Sequence, residues 1–106
     1  MVRGVVRVPE TSPDGVDSSA TIAPNARIVG PVKVGAGVHI GDGVVIEGPS
    51  IIDHGARIEA GARLVRSILW EESVVGAQAA LSDTVVGKSY RVEPNIVLEN
   101  ALVAEE

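Results

Sequence analysis

A chain of 106 residues with no cysteine, a formal net charge of −5 and almost no aromatic side chains is bounded before any motif is sought. Without thiols there are no disulfides, no cysteine-based zinc sites and no thiol nucleophile. The acidic balance argues against nucleic acid or an anionic membrane as the main partner. Apolar content is 45% but aromatic content only 2%, so the core must be filled with Val, Ile, Leu and Ala. That suits a narrow interior of repeated shape rather than a core bulked out by rings.

In chain order, residues 1–15 come first. They have neither the charged start nor the apolar stretch of a secretion leader, and no run anywhere is long enough to span a bilayer. A cytoplasmic location is therefore the default expectation. The stretch Met1-Val2-Arg3-Gly4-Val5-Val6-Arg7-Val8-Pro9 alternates enough to cover or extend one end of a fold, so residues 1–15 are predicted as an N-terminal cap.

From Val16 a repeat is visible. Stepping by six lands on Val16, Ile22, Ile28, Val34, Ile40, Ile46, Ile52, Ile58 and Leu64. Three residues after the members from Ile22 to Ile58 stand Asn25, Pro31, Gly37, Gly43, Pro49, Gly55 and Gly61. These are types that accept or pre-set a turn. Two residues before most inward positions lies something small or slim: Ala20, Ala26, Val32, Val38, Val44, Ser50, Ala56 and Ala62. Each six-residue unit thus reads as one inward aliphatic residue and one corner.

Gly30-Pro31 recurs as Gly48-Pro49, 18 positions on. Three sixes make a three-sided lap. Beyond Leu64 the phase continues through Leu69, Val75, Leu81, Val86, Val92 and Leu98, so the later laps lose one corner residue and become 17 long. The predicted object is all-β: a three-sided tube of about five laps over residues 16–98, each side a short strand paired with the same side one lap along, at about 4.8 Å spacing. Residues 99–106, ending in Glu105 and Glu106, are predicted as a C-terminal tail.

The six-residue period, with an aliphatic followed by Gly or Glu in Val34-Gly35, Ile40-Gly41, Ile46-Glu47 and Ile58-Glu59, resembles the left-handed parallel β-helix of hexapeptide-repeat proteins. The handedness is implied by that resemblance. The runs from Leu64 to Gly76 and from Leu81 to Gly87 are similar to a segment of sugar-phosphate nucleotidyltransferases of the mannose-1-phosphate guanylyltransferase type. In that family the β-helix is a C-terminal domain behind a nucleotide-binding α/β domain that carries out the transfer, and the resemblance implies that residues 1–15 are the connecting segment between the two. The resemblance implies a non-catalytic domain for nucleotide-sugar synthesis of the GDP-mannose type, serving oligomerisation or regulation, with a catalytic domain as partner. The Gly-rich phosphate loop of that catalytic domain has no counterpart here. The chain is accordingly expected to be an excised domain or a stand-alone relative, and no catalytic residue is carried over.

Four candidate sites follow from the side chains. The run Gly35-Ala36-Gly37-Val38-His39-Ile40-Gly41 has Ile40 where a dinucleotide loop needs glycine and no helix after it, so its glycines are assigned to corners. The two histidines, His39 and His54, fall on different columns, where a zinc site wants three or four ligands; neither metal nor cofactor is expected. His54 has Glu71 one lap above it and is the candidate general base if the chain is instead a hexapeptide acyltransferase acting on a sugar or amine. Such enzymes generally carry a catalytic His on a loop excursion, and no insertion of that length interrupts the repeat. Trp70 shares a corner column with Gly35, Asp53 and Gly87. With Glu71 it is the predicted partner-binding residue, since an exposed indole is a frequent interface anchor. Flat tube sides predict a homo-oligomer, and Arg57, Arg63, Arg66, Glu59, Glu71 and Glu72 a mixed-charge solvated surface.

Overall fold

The computed structural model describes residues 16, 17 and 19–104. Residues 1–15, predicted as a connecting segment or cap, and the last two residues lie outside the described residues. Among the described residues every regular element is a short strand, and the strands stack into three parallel sheets of five. The first side holds β1 (Thr21–Ile22), β4 (His39–Ile40), β7 (Arg57–Ile58), β10 (Val74–Val75) and β13 (Arg91–Val92). The second holds β2 (Arg27–Val29), β5 (Val45–Glu47), β8 (Arg63–Val65), β11 (Ala80–Ser82) and β14 (Val97–Glu99). The third holds β3 (Val32–Val34), β6 (Ser50–Ile52), β9 (Ile68–Leu69), β12 (Val85–Val86) and β15 (Leu102–Val103). The chain visits the sides in turn, so every strand pairs only with the strand one lap before and one lap after. This is a left-handed parallel β-helix of about five coils.

The registers put the predicted columns inside. Ile28 pairs with Ile46, Ile46 with Leu64, Leu64 with Leu81, and Leu81 with Leu98. The first side stacks Ile22, Ile40, Ile58, Val75 and Val92, and the third Val34, Ile52, Leu69, Val86 and Val103. Side chains in the middle laps are fully buried. Ile22, Ile28, Leu98 and Val103 are only half-buried, because among the described residues the last lap at each end has a neighbour on one side alone.

A second buried set lies at the corners, where the inward space is smallest. It comprises Val38, Val44, Ala56, Ala62 and Ala79, with Ser50, Ser67, Ser73 and Thr84. The hydroxyls among them are all bonded, as buried polar groups require. Ser50 Oγ donates to Glu47 O at 2.8 Å and accepts from Ser67 N at 3.0 Å. Ser67 Oγ donates to Val65 O at 3.0 Å, Ser73 Oγ to Trp70 O at 2.8 Å, and Thr84 Oγ1 to Ser82 O at 2.9 Å.

The lap shortens at one corner, between the second and third sides. Glu47 pairs with Val65 and Ile51 with Ile68, so Gly48-Pro49-Ser50 in one lap is matched by Arg66-Ser67 in the next. Asp83-Thr84 and Asn100-Ala101 repeat the short corner. Strand pairing also runs on to Leu102–Val103, inside the stretch read from sequence as a tail: the 17-residue lap continues past Leu98.

Candidate functional site

Each side of the tube turns one row of side chains inward and the alternate row outward, so the outer surface is written in columns that the registers define. The first side presents Thr21, His39, Arg57, Val74 and Arg91. The second presents two columns that carry Arg27, Glu47, Arg63 and Glu99 among aliphatic and small residues. The third presents Lys33, Ile51, Ile68, Val85 and Leu102. After Lys33 that column holds four aliphatic residues on four successive laps. Ile51 is 45% exposed and Leu102 75% exposed, with Ile68 and Val85 partly covered. Sequence reading missed this ladder, because an outward Ile has no local mark that separates it from the inward Ile beside it.

Trp70 stands where the third side turns into the first. Its backbone N–H bonds Val86 O at 2.9 Å, and Asp53 N–H bonds Leu69 O at 2.8 Å, which stacks Gly35, Asp53, Trp70 and Gly87 as the spacing predicts. The indole is half-exposed, at 50%. It lies two residues beyond Ile68, so strand alternation gives the two side chains the same outer side. Trp70 is therefore the aromatic edge of the aliphatic ladder.

The neighbouring column also has the predicted order. Gly55 N–H bonds Ala36 O, Glu72 N–H bonds His54 O, and Ser89 N–H bonds Glu71 O, which stacks Ala36, His54, Glu71 and Lys88. Glu71 does not orient His54, however. Its carboxylate lies 3.3 Å from Lys88 Nζ on the following lap, and His54 Nδ1 lies 3.5 Å from Asp53 Oδ1. Both His54 and Asp53 side chains are open to solvent. His39 sits on the first side, stacked with Arg57, while His54 lies in the corner that leads into that side. Among the described residues no group of three or more His, Cys, Asp or Glu side chains comes together as a metal site would need. Connections between strands are short corners throughout, with no excursion to bring a base over a substrate.

On the opposite edge of the third side, Arg66 grips Asp83 with two bonds, Nε to Oδ1 at 2.8 Å and Nη2 to Oδ2 at 2.9 Å. Bonding to the guanidinium holds the Asp83 carboxyl below the usual carboxylate range. The same bond, with the Asp83 charge behind it, raises the Arg66 pKa further. The ladder is thus bordered by a self-neutralised ion pair on one edge and by Trp70 on the other.

Sequence comparison identifies residues 11–106 with the family described as GMPPB C-terminal domain. A search of curated proteins found no match. Among solved structures, the CcmM N-terminal domain in complex with CcmN is similar, with a TM-score of 0.69 and 27% identity over 79% of this chain and 76% of that one. A perosamine N-acetyltransferase from Caulobacter crescentus, bound to CoA and GDP-perosamine, shares the fold with a TM-score of 0.50 and 24% identity; the match covers 85% of this chain but 52% of the acetyltransferase.

Proposed function

The chain belongs to the GMPPB C-terminal domain family, and from that premise we propose that it is the hexapeptide-repeat assembly domain of a sugar-phosphate nucleotidyltransferase. In this reading the coil serves nucleotide-sugar synthesis of the GDP-mannose type in the cytoplasm and carries no chemistry itself. A separate α/β domain joins the nucleotide to the sugar 1-phosphate, and the β-helix holds catalytic units together through Trp70 and Glu71. The observation that carries the reading is the family match over residues 11–106. The site geometry agrees with it. Both histidines are exposed, His39 on the first side and His54 at the corner that leads into it, and Glu71 pairs with Lys88 instead of orienting His54, whereas the Trp70 indole is 50% exposed. The likeness to CcmM, whose structure contains a protein partner, also suits a docking role.

The runner-up, a hexapeptide acyltransferase with His54 as base, draws only on the shared fold of the acetyltransferase. One pair of measurements separates the two. The chain is titrated against a mannose-1-phosphate guanylyltransferase catalytic domain lacking its own β-helix, and assayed for CoA release from acetyl-CoA with amino sugars. The expected result is saturable binding that Trp70→Ala weakens, and no CoA release. CoA release abolished by His54→Ala, with no binding, overturns the proposal in favour of the acyltransferase.

A further inference from the structure

We propose that the outer face of the third side pairs with the same face of a second copy of this chain, the two tubes running antiparallel about a two-fold axis along β9. The inference deepens the assembly reading by naming the surface and the partner, and rests on it only in treating the coil as a docking element.

The choice of face follows from what a two-fold contact demands. Such a contact is self-complementary, so the residue on the axis meets itself. On the first side that residue is Arg57, with His39 and Arg91 in the same column, and guanidinium would face guanidinium. Packing the second side would desolvate Arg27, Glu47, Arg63 and Glu99, at a cost that pairing the charges need not repay. On the third side the axis residue is Ile68, and the column around it is uncharged for four laps. The face has an apolar centre and a polar edge, the layout of a specific interface.

The direction also follows. With the axis along the tube, the copies would run parallel and Lys33 would face Lys33. With the axis along β9, each lap meets the lap equally far on the other side of centre. Ile68 then meets Ile68, Ile51 meets Val85, and Lys33 meets Leu102. Position along the strand is kept, so Trp70 comes to the same edge as its copy, and the two half-exposed indoles lie at the rim of the contact. Five laps at about 4.8 Å and a six-residue side at about 3.3 Å per residue give roughly 24 by 20 Å. Two copies then bury on the order of 1,000 Å² in total, the smallest size expected of specific pairing. An interface of that size lies at the weak end of specific pairing, so the dimer is expected as a concentration-dependent equilibrium in the micromolar range.

The absence of cysteine gives a clean test. Ile68→Cys, oxidised in the folded protein, is expected to form one covalent dimer, and Arg57→Cys on the first side none. Ile51→Cys alone should not link to itself, because two laps separate the copies beyond disulfide reach; mixed with Val85→Cys it should give the cross-linked pair. Sedimentation of the unmodified chain should show a monomer–dimer equilibrium. Ile68→Lys should weaken it by at least about tenfold through like-charge contact, with an unchanged circular-dichroism spectrum because the side chain points out of the core. A chain that stays monomeric across the micromolar range overturns the proposal. So does a dimer that links through Arg57→Cys, or one in which Ile51→Cys links to itself. A dimer with no affinity for the guanylyltransferase domain removes the function proposed above and leaves this face; a monomer that binds that domain does the reverse.

Discussion

In the laps before Arg66 the left-handed corner positions are Gly30, Gly37, Gly43, Gly55 and Gly61; in the laps after it they are Arg66, Glu72, Gln78, Asp83, Ser89, Asn95 and Asn100, with φ between 48 and 65°. Both sets adopt the same conformation, so a glycine is not required for it. Glycine enters it freely, while other L-residues lose about 1–2 kcal/mol each. The later laps recover something for that strain. Arg66 and Asp83 form their two-bonded pair across neighbouring corners. The Glu72 side chain lies over Gly55 and the Gln78 amide over Gly61. The glycine corners are unstrained, and the later ones are strained and carry side chains of their own that reach neighbouring laps.

If the two halves differ only at their corners, equal cavities in their interiors should cost alike. Ile46→Ala and Leu81→Ala, both fully buried, should each lose about 2–5 kcal/mol in urea unfolding. A clear inequality between them would show that the interiors differ as well. A smaller effect separates two glycines of one column. A Cβ on Gly43 (φ 70°) meets nothing nearer than 4.0 Å, whereas one on Gly61 (φ 76°) strikes the Gln78 amide. Gly43→Ala should therefore show the backbone strain alone, about 1–2 kcal/mol, and Gly61→Ala should lose more. Adding Gln78→Ala to Gly61→Ala, which removes the amide but keeps a side chain at that left-handed corner, should bring the loss back towards the Gly43→Ala value; if it does not, the contact between laps has been misassigned.

The least effect belongs to the ion pair. Because Arg66 depresses the Asp83 carboxyl, the stabilisation is present above the ordinary carboxylate range and is lost as pH falls through the lowered value. Asp83→Asn keeps a residue that tolerates the left-handed corner, as Asn100 does in the same column. The gap in Tm between wild type and Asp83→Asn should be small near pH 7 and close below about pH 4. Salt should narrow it too, since both partners face solvent.

The interior was legible because it depends on period alone. Ile28, Ile46, Leu64, Leu81 and Leu98 are spaced by the lap, and the change from 18 to 17 shows in the phase. The columns of Trp70 and His54 followed from the same count. Contacts within a column did not: Glu71 stands above His54 as expected but pairs with Lys88, a choice made by side-chain reach. The left-handed state of Arg66, Glu72 and Gln78 is equally unmarked, since these residues favour other conformations when free to choose. The outward ladder of Ile51, Ile68, Val85 and Leu102 escaped notice because composition registers an aliphatic residue without telling which way its strand turns it.

Strands here bond only to the laps directly above and below, and this makes length an adjustable property of the design. A block such as residues 66–82 begins and ends at equivalent corners. Duplicating or excising it would leave every remaining column in phase and change only how many rungs the outer faces carry. A lineage could thus widen or narrow its contact surface one rung at a time, without recasting the tube that supports it.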